Sequence, residues 1–328
     1  MPYPSLDLTF PNAKGGFDLA GTLTLPQGKG PFPAVVLVSG SGAQDRNETV
    51  LGHQPFLVLA DYLTRRGFAV LRYNDRGTAQ SGGTFKGALT TDFTTDAQAA
   101  LAYLRTRPDI RPKQVGLLGH SEGGLVVWQA ASQPAGPDFA VTLAGPGVTG
   151  AAILLRQQAD LARVAGADTA TIGANFRIYN CLFTELSRQP KSLSTDALTE
   201  QLAVVARQRL PQLSPEQARQ QVEVLAQPWM RNFLLTDPNA YFPRVRCPVL
   251  ALNGSHDLQV AADVNLPAIE RGLQAARNPD VTIRTLPNLN HFFQTDPAGT
   301  SHYAEIEETV APLALQTIGD WLALKVRW

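Results

Sequence analysis

The chain has 328 residues, 44% hydrophobic and 17% charged, so it is long and apolar enough for a large core and is not disordered in composition. Its 28 Lys and Arg balance 28 Asp and Glu without any basic run, which argues against nucleic acid or an anionic membrane surface and for small, uncharged or mixed partners. Cys181 and Cys247 stand far apart, outside any Cys-x-x-Cys or Cys/His cluster, and read as small apolar residues rather than a metal site or a disulfide framework.

Met1 to Phe10 lacks a basic patch followed by an apolar core, and no stretch approaches the roughly 20 apolar residues of a membrane span. The expectation is a soluble, cytoplasmic chain without a membrane span.

In chain order, Leu6 to Phe10 and Asp18 to Leu25 alternate apolar and polar residues around a Gly-containing turn and predict two hairpin-like strands. After a Gly/Pro turn, Ala34 to Val38 is a continuous apolar run, suited to a strand buried on both faces. It ends in the glycine-rich loop Ser39 to Asn47, which lacks the spacing of a P-loop or a dinucleotide fingerprint. Phe56 to Arg66 predicts a helix, Phe68 to Tyr73 a strand, and about Asp92 to Arg105 a second helix. Asp75 and Arg76, at the end of that strand, read as a structural ion pair or turn in preference to a ligand site.

Gln114 to Leu118 is the next strand. It runs into Gly119-His120-Ser121-Glu122-Gly123-Gly124 and a helix to Ser132, and Phe139 to Leu143 follows as another strand. From Val148 to about Tyr241 strand signals vanish, and Gln, Arg, Ala and Leu recur at helical spacing, broken by Gly173, Pro190, Pro211 and Pro228. Four or five helices are expected there, with no fixed repeat. Strand signals return at Arg246 to Leu252 and Val281 to Leu286, with helices at about Ala262 to Ala276 and Tyr303 to Lys325. This alternation calls for an α/β fold with a mostly parallel, doubly wound sheet. Its expected division is a core at 1–147, an all-helical cap insertion at 148–241 and a second core segment at 242–328.

A Gly-x-Ser-x-Gly turn between strand and helix places a serine hydroxyl on a strained elbow, making Ser121 the candidate nucleophile; a plain helix N-cap is the competing reading. A serine hydroxyl needs a base to take its proton and an acid to orient that base. Asp257 and His291 each lie just past a late strand, in the order Ser, Asp, His that this arrangement requires. His120 and His256 adjoin the site residues and are expected to pack beside them, while His53 and His302 fall elsewhere. Asp263 is the weaker alternative acid, because it falls inside a predicted helix. The oxyanion donors expected are the backbone N–H of Glu122 and that of Ser41 or Gly42.

On these residues the chain resembles the α/β-hydrolase superfamily over nearly its whole length. More narrowly it is similar to bacterial esterases with a Ser-Gly-Ser-Gly-x-x-Asp-Arg loop, here Ser39 to Arg46. Four more segments carry that resemblance: Tyr73 to Gly77, Gly119 to Gly124, Asn253 to Asp257, and Asn290-His291-Phe292. The resemblance implies a carboxylic ester hydrolase for short acyl chains or small-alcohol esters, with no cofactor and no metal. Many relatives have His-Gly where this chain has Ser39-Gly40, which leaves the choice between Ser41 and Gly42 open. Ser121 at the elbow, where dehalogenases and epoxide hydrolases carry aspartate, disfavours those chemistries. Thioesterase or peptidase activity on the same triad, and a non-catalytic ligand-binding module, are the alternatives. In the helical insertion Phe176, Tyr179, Phe183, Trp229, Phe233 and Tyr241 are candidates for an acyl pocket, although their spacing favours core.

Overall fold

A computed structural model describes residues 2–326. Met1, Arg327 and Trp328, at the ends of the core segments read from the sequence, lie outside the described residues.

The strands are β1 (Ser5–Asn12), β2 (Phe17–Thr24), β3 (Phe32–Val38), β4 (Ala69–Tyr73), β5 (Ile110–His120), β6 (Ala140–Leu143), β7 (Val249–Gly254) and β8 (Val281–Leu286). Among the described residues they form one 8-stranded sheet in the order β1-β2-β4-β3-β5-β6-β7-β8. β1 and β2 form an antiparallel hairpin, whose turn is fixed by Asn12: its carbonyl accepts from Gly15 and Gly16, and its Oδ1 from Gly15. β2 meets β4 antiparallel; every later pairing is parallel. Ala34 to Val38 and Val249 to Leu252 are buried along their length, as continuous apolar runs in a sheet covered on both faces must be.

The register aligns the carboxyl ends of the parallel strands. Val38 lies opposite Gly119, His120 opposite Leu143, Leu143 opposite Leu252, and Gly254 opposite Leu286. The loops leaving β3, β5, β7 and β8 therefore emerge at one edge, where ligands bind in open α/β sheets.

The helices of this part are α1 (Pro55–Arg65), α2 (Thr90–Thr106) and α3 (Glu122–Ala131). Five more, α4 (Gly150–Val164), α5 (Thr169–Arg188), α6 (Thr195–Arg209), α7 (Pro215–Ala226) and α8 (Pro228–Leu235), stand between β6 and β7 in sequence, and α9 (Ala262–Ala275) and α10 (Pro312–Lys325) close the chain. The chain divides into two compact units: an α/β unit made of the residues up to Lys86, Thr90–Val148 and those from Pro238 on, and a helical unit made of Gly87–Leu89 and Thr149–Asp237.

The helical unit has its own core, with Leu182, Leu186, Leu198, Leu202, Leu225 and Leu234 at its centre. Four of its five helices start where a side chain satisfies one of the first free N–H groups: Thr149, Asp168, Ser194 and Ser214 each accept a capping bond, and Ser214 with Gln217 forms a reciprocal capping box. Gly173, expected to break a helix, lies inside α5 instead. An interior glycine costs only about 1 kcal/mol, which the Asp168 cap and the apolar face ending in Leu182, Phe183 and Leu186 outweigh. The break falls at Gly166, whose φ of +82° suits the left-handed end of α4.

The expected helix from Tyr303 is also corrected. Tyr303–Glu305 is one 3-10 turn, and α10 begins only at Pro312. The stretch between is used as a strap: Gln294 Nε2 donates to the carbonyls of Tyr303 (3.3 Å) and Glu308 (2.9 Å), and the Glu308 carboxylate accepts from Thr295 N–H (2.7 Å). Those carbonyls are committed to the loop after β8, and Pro312 supplies the preset φ of a helix start.

Candidate active site

Ser121 stands between β5 and α3 with φ +52° and ψ −120°, a conformation that a non-glycine residue holds only when its surroundings enforce it. Two glycines make the turn possible. A Cβ on Gly119 would lie 2.2 Å from the carbonyl oxygen of Gly123, and one on Gly123 would lie 2.2 Å from that of Val38, so β5, α3 and the end of β3 meet at backbone distance. Ser121 N–H donates to Leu143 O (2.9 Å) and its carbonyl accepts from Gly124 N–H (2.9 Å). It occupies the N-cap position of α3, yet its side chain makes no capping bond. The backbone is therefore clamped while the hydroxyl is not used as a cap.

The loops after β7 and β8 bring Asp257 and His291 together. His291 Nδ1 lies 2.9 Å from Asp257 Oδ2, and both side chains are buried. The other carboxylate oxygen of Asp257 accepts from the N–H groups of Gln259 and Val260 (2.8 Å each), which fixes the acid in its turn. Because a carboxylate can only accept, Nδ1 of His291 carries a hydrogen, so in the neutral ring Nε2 is the nitrogen with the lone pair. Asn290 holds the loop from behind, its Oδ1 accepting from Phe292 and Gln294 N–H (3.0 Å each). Asp263 sits exposed in the first turn of α9, while Asp257 takes the bond to His291.

The other histidines have structural partners. His120 packs against His291 with ring centroids 4.9 Å apart, and its Nε2 lies 3.0 Å from the His291 carbonyl oxygen. His256 Nδ1 lies 2.7 Å from Asp296 O. His53 contacts Thr309 Oγ1 and Gln294 Nε2 (3.0 and 3.2 Å), and His302 stands 3.8 Å from Glu305.

The loop after β3 approaches the elbow closely: a Cβ on Gly40 would sit 3.3 Å from Ser121 Cβ. Gly40 N–H is committed to Glu48 Oε1 (2.6 Å). The N–H groups of Ser41 and Gly42 have no acceptor among the described residues, and Gly42 takes φ +105°. The N–H of Glu122 belongs to the first turn of α3, where backbone donors point out of a helix. Its carboxylate accepts from Thr90 Oγ1 (2.6 Å).

Two residues not among the expected site residues, Asp75 and Glu48, anchor this loop. Asp75 does not pair with Arg76. It accepts from Ser39 Oγ (2.8 Å) and Gln44 N–H (3.0 Å), while Arg76 pairs with Asp96 (2.7 Å). Burial pushes the Asp75 carboxyl up to about 7, against these two hydrogen bonds and with help from the negative fields of Asp96 and Glu48. The second anchor is Glu48, buried at 2% exposure with φ +53°. The one legible signal for Asp75 was its place at a strand's carboxyl end; Glu48 had none.

The aromatic residues of the helical stretch divide. Tyr179 and Phe183 belong to the helical unit's core, Trp229 and Phe233 stack at 5.6 Å, and Phe176 is exposed. Tyr241 falls in the α/β unit and accepts a hydrogen bond from Gln129 (3.2 Å). Among the described residues no group of three or more His, Cys, Asp or Glu could hold a metal ion, and no helix is long and apolar enough to cross a membrane.

Residues 15–266 match the model of the X-Pro dipeptidyl-peptidase family (S15). The chain belongs to that family. It is also 36% identical over 115 residues to Esterase EstD of Thermotoga maritima, a match covering 35% of this chain and 27% of EstD. A putative carboxymethylenebutenolidase of Synechocystis is 29% identical over 136 residues, covering 39% of this chain and 53% of the relative. The chain thus spans from about a quarter to about half of these relatives' length. Among solved structures, the Pyrococcus furiosus esterase Pf2001 superposes with a TM-score of 0.59 at 13% identity, covering 99% of this chain and 91% of that one. The sheet, the crossovers and this superposition give the S15-family chain an α/β-hydrolase fold.

Proposed function

We propose that the chain is a serine carboxylesterase that cleaves small carboxylic esters through an acyl-enzyme on Ser121. The observation that carries this reading is the buried Asp257–His291 hydrogen bond, at the sheet edge where the residue preceding Ser121 contacts the His291 carbonyl. With Nδ1–H held by Asp257, Nε2 of His291 takes the Ser121 proton as Oγ attacks the ester carbonyl. The carbonyl π electrons move to oxygen, and that oxyanion is held by the N–H of Glu122 and of Ser41 or Gly42, each donor lowering the barrier by about 3 kcal/mol. Collapse expels the alkoxide, which takes the proton from His291 and leaves as the alcohol. Water then repeats the sequence on the acyl-enzyme and releases the acid.

The EstD similarity supports an ester substrate. The family's name favours a second reading, hydrolysis of a peptide bond by the same groups, with thioester cleavage a third use of the same chemistry. In this proposal the helical unit is the cap insertion expected from the sequence.

A panel of p-nitrophenyl acetate, butyrate and octanoate, acyl-CoA thioesters, and X-Pro p-nitroanilides separates the readings. Fastest turnover of the short esters is expected, and its loss in Ser121→Ala. Ester hydrolysis surviving that substitution overturns the nucleophile; preference for the X-Pro anilides moves the assignment to peptidase.

A further inference from the structure

The buried pair Glu48 and His120 has no part in the chemistry above, yet it touches both loops on which that chemistry depends. Glu48 Oε1 accepts from Gly40 N–H (2.6 Å) and lies 3.0 Å from His120 Nδ1; its Oε2 is buried without a partner. His120 Nε2 lies 3.0 Å from the backbone oxygen of His291. Both ring nitrogens of His120 thus face oxygens, a carboxylate on one side and a carbonyl on the other. A neutral imidazole has one hydrogen and can satisfy only one of them. An imidazolium satisfies both, and the carboxylate neutralises it in place.

We propose that Glu48 and His120 form a buried ion pair that ties the loop after β3 to the loop carrying His291, and that both are positioning residues for acyl transfer. The inference rests on the serine-hydrolase reading of Ser121. It accounts for three features at once. Gly40 N–H is drawn to Glu48, which sets the backbone from which the next donors, Ser41 and Gly42, follow. His291 is held at two points, its ring by Asp257 and its main chain by His120. The left-handed φ of +53° at Glu48 is held by these contacts.

The charges around the pair fit this state. Burial opposes a charge on His120, but Glu48, the His291 carbonyl and Asp257 outweigh it and raise its pKa. Glu48 faces His120 from the loop after β3, His291 and Asp257 face it from the loops after β8 and β7, and Asp75 lies within the field of Glu48. Without Glu48, a positive His120 beside His291 would oppose the imidazolium that His291 must become during attack. The pair supplies the hydrogen bonds without that penalty.

The test is Glu48→Gln, in which the amide oxygen can still accept from Gly40 but the charge is lost. A neutral His120 must then drop its bond to Glu48's replacement or to His291. On p-nitrophenyl butyrate, kcat should fall about 10²-fold with KM within about threefold, as expected when catalytic groups shift by about an ångström. A merely structural role predicts wild-type kcat in the folded fraction. A second measurement needs no variant at Glu48: in Ser121→Ala protein at pH 8, imidazole nitrogen NMR should show His120 protonated on both ring nitrogens. A neutral His120 at pH 8, or unchanged kcat in folded Glu48→Gln, overturns the proposal. Failure of the underlying reading looks different, since the wild type itself would then neither turn over esters nor be labelled at Ser121.

Discussion

Asp75→Asn should make the protein's stability less sensitive to a rise in pH from about 4 to about 7. The carboxyl is buried at the end of β4 and its pKa is raised from its ordinary 3.8 to about 7. Protons are therefore bound more tightly in the folded than in the unfolded chain. The stability this group contributes is fully present below about pH 3.8 and is lost as pH rises, the loss being complete above about 7. Over that window the cost approaches about 4 kcal/mol, an upper figure for a shift of this size. Asparagine matches the protonated side chain: its oxygen can accept from Gln44 N–H and its amide can donate to Ser39 Oγ, replacing both bonds that Asp75 makes. Urea unfolding at pH 4, 5, 6, 7 and 8 should give a variant that gains on the wild type steadily with pH, by about 4 kcal/mol across the range, with equal slopes in urea. Parallel stability curves for the two proteins would refute the reasoning, since they would mean that Asp75 ionises as easily folded as unfolded.

Other substitutions test other links. Asp257→Asn should leave the fold intact and lower kcat by about 10⁴-fold, because the amide no longer requires hydrogen on Nδ1 of His291; a loss under tenfold in ester assays would remove Asp257 from the mechanism. Gly123→Ala would place a methyl 2.2 Å from the Val38 carbonyl oxygen, and soluble protein with wild-type melting temperature and activity would contradict the packing described for the elbow. In the helical unit, the guanidinium of Arg231 donates to the carbonyls of Gln189, Pro190, Lys191 and Leu193, so Arg231→Met should cost at least about 3 kcal/mol in urea unfolding by leaving those oxygens unpaired. Burial pushes the Cys247 thiol up to about 12, so in a Cys181→Ser background the native protein should resist iodoacetamide at pH 8 and react once unfolded.

What was legible in the sequence follows from which interactions are local. Continuous apolar runs such as Ala34 to Val38 and Val249 to Leu252 marked buried strands, and their alternation with amphipathic helices fixed a parallel sheet, because parallel strands need crossovers. The elbow could be read because its constraint is local: Gly119 and Gly123 are required by backbone approaches within a few residues or to the adjacent strand. Asp257 and His291 could be paired from order along the chain, since each follows a strand ending at the same sheet edge.

Glu48 could not be found this way. Its partners, Gly40, His120 and through it His291, come from the loop after β3, the end of β5 and the loop after β8, and no spacing rule links a glutamate to them. Asp75 and Arg76 illustrate the same limit, as adjacent opposite charges suggested a pair while the chain turned Arg76 to Asp96 and Asp75 to Ser39 and Gln44. Gly173 and the stretch before Pro312 were misread because local propensity was overruled, by a well-capped helix in one case and by side-chain claims on backbone carbonyls in the other.

The central claim is that Ser121 is a nucleophile activated by His291. Intact-mass analysis and peptide mapping after exposure to a fluorophosphonate probe measure it directly. The account predicts one stoichiometric adduct on Ser121, absent from Ser121→Ala and formed far more slowly in His291→Ala. An unlabelled folded wild type, or an adduct on any other residue with Ser121 unmodified, would contradict it.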